Sequence, residues 1–248
     1  MTPDVCSNQN HPIPHTAMKK ILFPCLALLA VTVLFFLLPL LLPTQEVTQP
    51  ASNIGLPWEI DRDEAGQTRV FGLAPGVSTL NDAIARFGNE MELAIIIAAD
   101  APRDKEANDA TLESYYKQIT FGGMRAHLIL TLDAPPSMVL SMLERSVKGK
   151  YTQIGSRKFS LHPDDAKLAG TLPLTALTLV PNANLNAETI VSRFGTPSDI
   201  ITMGNLQHYL YPDKGLNVVL DSKGKELLQY VAPAEFERRI VRPLKPEI

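Results

Sequence analysis

Cysteine is absent from the sequence after Cys25, and this absence excludes several kinds of site. The chain has two cysteines, Cys6 and Cys25, both close to its beginning. The later residues can therefore form no disulfide, no zinc site with thiolate ligands and no cysteine nucleophile. They also contain no Gly-x-Ser-x-Gly, no His-Glu-x-x-His and no glycine-rich phosphate loop. The sequence thus offers none of the common catalytic motifs.

An excess of positive charge is also lacking. Asp and Glu outnumber Lys and Arg by 26 to 23, and the net charge is −3. Binding to nucleic acid needs a basic patch or stripe that neutralises phosphates. We therefore predict no nucleic-acid partner. Because no cofactor or metal motif is present either, we also predict no cofactor and no resident metal.

A long apolar run occupies residues 21–43, with Thr32 as its only clearly polar side chain. A membrane helix needs about 20 such residues. Lys19 and Lys20 precede the run, so the positive-inside rule places residues 1–20 in the cytoplasm. We predict a single-pass bacterial inner-membrane protein whose remaining residues face the periplasm. A cleaved signal peptide is the alternative, but its apolar region should run about 7 to 15 residues and end at a small-residue cleavage site.

Two later segments match each other, residues 73–88 (LAPGVSTLNDAIARFG) and 179–195 (LVPNANLNAETIVSRFG). In both, apolar residues recur at the spacing of a short amphipathic helix. Thr79 and Asn186 precede these helices and are candidate N-caps, while the closing glycines suit a left-handed position at the helix end. The sequence therefore contains an internal repeat.

Strand-like runs follow each of these helices, and short turn sequences separate them. The predicted fold class is α+β, with an N-terminal transmembrane helix followed by two repeats, each a helix plus an antiparallel meander. We place a linker at 44–57, the first repeat at 58–150, and the second repeat with a C-terminal tail at 151–248.

The second repeat resembles a known family. The stretch from FGTPSDI to HYLYPDKGLNVVLDSKGKELLQYV is similar to the SmpA/OmlA family of small outer-membrane lipoproteins, and FGNEMEL to LILTLD is a looser match. Tandem copies also resemble the two-repeat β-lactamase inhibitor proteins. The resemblance implies a binding module of the cell envelope that acts through protein contacts. It carries over no catalytic residue, and the family's lipidated cysteine has no counterpart, because Cys25 lies inside the apolar run.

Three tyrosines and two arginines form the candidate interaction surface, since these residue types dominate binding hot spots. The tyrosines are Tyr209, Tyr211 and Tyr230. Tyr209 and Tyr211 share one face of a strand, which is either a binding surface or part of the core. Arg86 and Arg193 occupy equivalent places in the last turn of the two helices. Their alternative role is to interact with the helix C-terminus.

An envelope hydrolase or metal-dependent enzyme is the alternative function, built on His162 with Asp164 and Asp165. An imidazole beside carboxylates can serve acid–base catalysis or metal binding. The same His-Pro-Asp-Asp sequence is also typical of a helix start. Trp58 is interpreted as a core residue, with a binding role as the alternative. We therefore expect a non-catalytic interaction module with an envelope protein as its partner.

Overall fold

Antiparallel strands dominate the computed structural model, which describes residues 55–99, 110–152 and 155–245. Strands β1 (Ile60–Arg62) and β2 (Thr68–Val70) form a separate hairpin. The others are β3 (Glu92–Ile97), β4 (Ala110–Phe121), β5 (Met124–Leu132), β6 (Val147–Tyr151), β7 (Arg157–Ser160), β8 (Leu174–Pro181), β9 (Asp199–Met203), β10 (Leu206–Tyr211), β11 (Leu216–Asp221) and β12 (Leu227–Val231). These ten form one sheet in the order β6-β7-β3-β4-β5-β8-β12-β11-β10-β9.

Five α-helices lie among the described residues. They are α1 (Leu80–Phe87), α2 (Pro136–Glu144), α3 (Pro163–Gly170), α4 (Ala187–Phe194) and the single turn α5 (Arg242–Leu244). Short 3₁₀ turns occupy Pro212–Lys214 and Pro233–Glu235, and a π-helical turn occupies Glu237–Val241. The sheet is therefore the main element, and the helices are short.

The two predicted repeat helices are present, and their N-caps are confirmed. Thr79 accepts the N–H of Asp82 at the start of α1, and the Asp82 carboxylate accepts the N–H of Thr79 in return. At the start of α4, Asn186 Oδ1 accepts the N–H of Thr189 at 2.7 Å. Each cap satisfies an amide that has no partner within the helix.

The predicted fold class is wrong, because the strands do not form two separate meanders. β8 pairs with β5 on one side and with β12 on the other, so that Leu179 lies opposite both Leu128 and Leu228. These pairings join all the strands after β2 into one ten-stranded sheet. Hairpin turns predict the pairing of neighbours in sequence, but they contain no information about pairing between distant strands.

The main hydrophobic core lies between one face of the sheet and the helices. Leu80 and Phe87 of α1 and Ile190 and Phe194 of α4 are buried in it. Because side chains alternate along a strand, the neighbouring residues point to the other face. A smaller cluster forms there between strand residues and the C-terminal segment, with Ala176, Leu210, Val231, Phe236, Ile240 and Val241 as its buried members.

The membrane predictions are corrected. Within residues 55–99, 110–152 and 155–245, no helix is long and apolar enough to cross a membrane. The structure therefore does not support a single-pass protein, the membrane as a partner or an inner-membrane location. The apolar run at 21–43, on which these predictions were based, lies outside the described residues.

Candidate functional site

The three tyrosines of the predicted interaction surface lie in the core. Tyr209, Tyr211 and Tyr230 are only 4%, 5% and 2% exposed. Tyr209 and Tyr211 do share one face of β10, and that face belongs to the main core. Burial raises the pKa of Tyr211 to about 12. The three side chains therefore stabilise the fold and form no exposed surface.

The hydroxyl of Tyr211 connects the end of α4 to the sheet by a hydrogen bond. It donates a hydrogen bond to the carbonyl oxygen of Gly195 at 3.0 Å. Tyr116 of β4 makes the corresponding bond to Gly88 after α1, at 2.9 Å. Both glycines have a φ of 85°, which glycine adopts more easily than other residues. The two matched segments thus use the same tyrosine–glycine contact.

Arg86 and Arg193 occupy matching helix positions but make different contacts. Nε of Arg86 donates to the carbonyl oxygen of Phe71 at 3.1 Å. Phe71 has a φ of 55° and is the only non-glycine residue with positive φ in the described part of the chain. A bulky residue rarely adopts this conformation without support from its surroundings. Arg86 therefore stabilises a strained turn.

Arg193 is exposed and lies over Trp58. Its Cζ is 4.6 Å from the indole centroid, a distance typical of a cation–π contact. The two residues stand at a narrow apolar cleft of about 10 Å³, which Pro57, Met124, Leu185 and Leu228 also line. Such a volume holds about one water molecule. The cleft therefore has no room for a small-molecule ligand, which usually occupies a pocket of about 300 to 1,000 Å³.

His162 starts α3, which confirms the interpretation as a helix start. Its Nδ1 accepts the N–H of Asp164 at 3.3 Å. Asp165 forms a two-bond ion pair with Arg145, with distances of 2.7 Å from Nη2 to Oδ1 and 3.2 Å from Nε to Oδ2. The guanidinium holds the pKa of Asp165 below its usual value. The Asp165 carboxylate is thus committed to this ion pair, whereas Oδ2 of Asp164 lies 3.7 Å from Nδ1 of His162 at the exposed start of the helix. The enzyme alternative stays a prediction.

β9 forms one edge of the ten-stranded sheet. Four of its five residues are exposed, and the side chains of Ile200 and Met203 are 47% and 42% exposed. Edge strands are usually protected against pairing with other chains by lysine, proline or a bulge. The β9 sequence, Asp-Ile-Ile-Thr-Met, contains neither lysine nor proline. Sequence reasoning predicted this strand but had no signal that it would lie at an edge.

The backbone of β9 directs polar groups away from the sheet. A two-residue turn joins β9 to β10, so that Met203 and Leu206 lie opposite each other beside it. In such a hairpin alternate residues bond to the partner strand, and the backbone groups of Ile200 and Thr202 therefore point outward. Asp199 Oδ1 accepts the N–H of Ile200 at 2.8 Å. The carbonyl oxygen of Ile200 and the N–H and carbonyl oxygen of Thr202 also point outward, where an added strand could form hydrogen bonds with them.

The opposite edge of the sheet, β6, is a poorer template for pairing. Its register with β7 shifts between Val147 and Lys150, which indicates a bulge. Lys150 is exposed, and Tyr151 is 80% exposed. A bulge and an exposed lysine are two of the usual protections of an edge strand.

β3 holds the place in the first matched segment that β9 holds in the second. It begins at Glu92 and β9 begins at Asp199, each at the same distance from the glycine that ends the preceding helix. The outer side of β3 is covered by β7, with Ile95 opposite Phe159. β7 therefore occupies, beside β3, the place that a strand from an interaction partner could occupy beside β9.

A shallow cleft of about 260 Å³ lies between the start of α4 and turns at one end of the sheet. Glu226 lines it and is only 7% exposed. Its Oε2 is buried without a hydrogen-bond partner in the described part of the chain. Residue type alone predicts the opposite, because glutamate in a turn rich in lysine and glycine is ordinarily exposed.

His208 and Asn217 form a buried polar pair on the sheet face opposite the main core. Their side-chain nitrogens, Nδ1 of His208 and Nδ2 of Asn217, are 3.3 Å apart. Burial lowers the pKa of His208, while the contact with Asn217 raises it by a smaller amount. The ring is therefore mainly neutral at pH 7.

Comparisons with known proteins give no match: no family model, no curated protein and no solved structure matches the chain. The resemblance to the SmpA/OmlA family stays a prediction. Within the ranges that the structure describes, no group of three His, Cys, Asp or Glu side chains could hold a metal ion. Function must therefore be inferred from the geometry of the edge strand and the clefts.

Proposed function

We propose that this protein is a non-catalytic protein-interaction module that binds a partner protein by adding one of the partner's strands to β9. The observation that supports this proposal is an edge strand with exposed apolar side chains and without the usual protections. Main-chain hydrogen bonds give such strand addition its affinity, and alternate side chains give it specificity.

The register of β9 defines what the partner strand should look like. Ile200 lies opposite Tyr209, which belongs to the main core, so Ile200 and Thr202 point to the core face. An apolar or β-branched residue beside Ile200 would extend that core by one strand. We therefore expect an extended partner segment with apolar residues at alternate positions.

The covered strand β3 supports this expectation. The residues of β7 that lie opposite β3 include Phe159, which packs against the main core, and Lys158, which forms an ion pair with Glu92. Phe159 is the apolar residue of β7, whose sequence is Arg-Lys-Phe-Ser, and it covers the core beside Ile95. A partner segment on β9 needs an apolar residue in the same place.

Site-specific crosslinking tests the proposal. A photoreactive amino acid replaces Met203 on β9 or, as a matched control, Tyr151 on β6, and the full chain is irradiated in cells. We expect one discrete adduct with a second protein from position 203 and none from position 151, because both sites are exposed but only β9 is open to pairing.

Two variants at Thr202 show whether the adduct depends on strand pairing. Thr202→Pro removes the outward N–H, and proline is tolerated at an edge position whose N–H faces solvent. Thr202→Val keeps that N–H. Loss of the adduct in Thr202→Pro and its retention in Thr202→Val would support strand addition. An adduct that contains only a second copy of this chain, or one that survives Thr202→Pro, would contradict the proposal.

A further inference from the structure

β3 and β9 occupy the same place in the two matched segments, down to the register of their pairing. Leu93 of β3 lies opposite Ser114, two residues before the tyrosine whose hydroxyl bonds to the end of α1. Ile200 of β9 lies opposite Tyr209, two residues before the tyrosine whose hydroxyl bonds to the end of α4. Leu93 and Ile200 are therefore equivalent positions. The side chains that cover Leu93 indicate what would cover Ile200.

The chain covers Leu93 with apolar side chains from β7 and the residue after it. Ala94 lies opposite Ser160, so the antiparallel register places Leu161 beside Leu93. Phe159, Leu161 and Leu93 are partly buried and pack against the main core. Two apolar residues, separated by one position, therefore cover the core face of β3.

The helices contribute a second pair of equivalent residues, Ile84 in α1 and Val191 in α4. Ile84 is partly buried and packs against the main core, whereas Val191 is 42% exposed. Thr189 and Arg193 line the cleft beside Trp58. Val191 is two residues from each, about 200° around the helix, and therefore lies on the opposite flank of α4. Because β5 and β8 also line that cleft and lie away from β9 in the sheet, Val191 faces the β9 edge.

A carboxylate stands at the start of each outer strand. Glu92 at the start of β3 forms an ion pair with Lys158 of β7. Asp199 at the start of β9 is exposed and forms no ion pair with a lysine or arginine among the residues that the structure describes. Its Oδ1 accepts the N–H of Ile200, a contact that leaves the carboxylate charged. A basic residue of a partner would complement Asp199 as Lys158 complements Glu92.

We propose that the segment that β9 binds runs antiparallel to it and carries the pattern basic, apolar, any residue, apolar. This inference rests on the proposed strand addition and adds the sequence class of the partner. The last apolar residue lies beside Ile200 and packs against Val191, and the first lies beside Thr202. The basic residue lies beside Met203, on the sheet face that also carries Asp199.

A synthetic peptide with the sequence of residues 155–163 tests this pattern, because it contains the Lys-Phe-Ser-Leu with which the chain covers β3. Its binding to the full chain is measured by the fluorescence anisotropy of an attached fluorescein. We expect saturable binding with a Kd below about 1 mM. The control peptide has the phenylalanine and the second serine exchanged, which turns the aromatic ring to the other strand face. It should bind about fivefold more weakly or less.

Variants of the full chain show where the peptide binds. Val191→Ser should weaken binding about threefold to tenfold, because the last apolar residue loses its contact with α4. Val77→Ser is the matched control, since Val77 is 62% exposed and lies before α1, and it should bind the peptide as the wild type does. Asp199→Asn should weaken binding by up to about fivefold at low salt and less at high salt. A photoreactive amino acid in place of Met203 should crosslink to the peptide.

Four results would overturn the inference. They are a wild type without saturable binding up to about 1 mM peptide, equal binding of the control peptide, unchanged binding by Val191→Ser, and a crosslink from position 203 to a second copy of this chain in place of the peptide. Strand addition is judged separately, by the adduct formed in cells and its loss in Thr202→Pro. If that adduct behaves as expected and the peptide does not bind, β9 binds a strand of another sequence class.

Discussion

The two matched segments share their local structure but differ in their surroundings. In each, a helix of eight residues is capped by Thr79 or Asn186 and ends at a glycine whose carbonyl accepts a tyrosine hydroxyl. The strand that follows the first helix, β3, is covered by β7. The strand that follows the second, β9, forms an edge of the sheet. The shared helix, cap and tyrosine–glycine contact stabilise both segments, whereas the uncovered side of β9 indicates where a partner can bind.

The cover over β3 comes from an inserted part of the chain. Between β5 and β8 lie α2, β6, β7 and α3, and the described residues after β9 contain no corresponding insertion. The cover is held by packing, since Phe159 and Leu161 contact the main core. The ion pair of Lys158 with Glu92 adds little because exposed ion pairs contribute about 0 to 1 kcal/mol. Apolar contacts should therefore also dominate the binding of a partner strand to β9.

The largest expected effect comes from removing the phenylalanine at the end of each helix. Phe87 and Phe194 are 6% and 3% exposed, and each lies beside the tyrosine of the glycine contact, with ring centroids 5.7 and 6.1 Å apart. Phe87→Ala and Phe194→Ala should each lower the free energy of unfolding by about 3 to 5 kcal/mol. Urea denaturation measures both. A loss below about 1 kcal/mol in either variant would show that the two segments are not energetically alike.

A smaller effect is expected from the two tyrosine hydroxyls. Tyr116→Phe and Tyr211→Phe each remove one hydrogen bond and leave a glycine carbonyl without its donor. Each should lower the free energy of unfolding by about 0.5 to 1.5 kcal/mol. Tyr151→Phe is the control, because Tyr151 is 80% exposed and should give no change. Equal losses in the three variants would contradict a specific role for the glycine contact.

The sequence predicts the local elements of this fold better than their arrangement. The spacing of apolar residues and the caps at Thr79 and Asn186 correctly predict α1 and α4, because these signals act within a few residues. The pairing of β5 with β8 and of β8 with β12 has no such local signal. It depends on contacts between distant residues, and the prediction of two separate meanders failed for this reason.

The candidate site illustrates the same limit. The alternation of side chains along a strand correctly places Tyr209 and Tyr211 on one face. The opposite face carries His208 and Leu210, which are buried as well. Alternation therefore does not show which face is exposed. Equivalent positions likewise do not give Arg86 and Arg193 the same role, because only Arg86 lies near the strained turn at Phe71.

A still smaller effect, confined to one pH range, is expected from His208, which belongs to the second segment. Burial lowers its folded-state pKa below the ordinary value of 6.5, and the contact with Asn217 partly offsets this. The unfolded chain therefore binds more protons as the pH falls below about 6.5, and the free energy of unfolding decreases. Above that pH, His208 has little effect on how the free energy of unfolding changes with pH.

Urea denaturation at pH values from 7.5 to 5 measures this dependence in the wild type and in His208→Gln. The slope below pH 6.5 should be weaker in the variant. Carboxyl groups with lowered pKa, such as Asp165, lose their stabilising effect only as the pH falls through and below their ordinary value of 3.8. An unchanged slope in His208→Gln would assign the dependence to another group.

The smallest effect on stability is expected where the two segments differ most, at the outer strands β3 and β9. Ile200→Lys and Met203→Lys place a charge on side chains that are 47% and 42% exposed, and each should change the free energy of unfolding by less than about 0.5 kcal/mol. Both give β9 the kind of protection that Lys150 gives β6. In Ile200→Lys with the photoreactive residue at position 203, the crosslinked adduct should disappear although the fold is kept. A loss of stability above about 1.5 kcal/mol would mean that Ile200 and Met203 already pack against other parts of the chain, and β9 would then be no more open than β3.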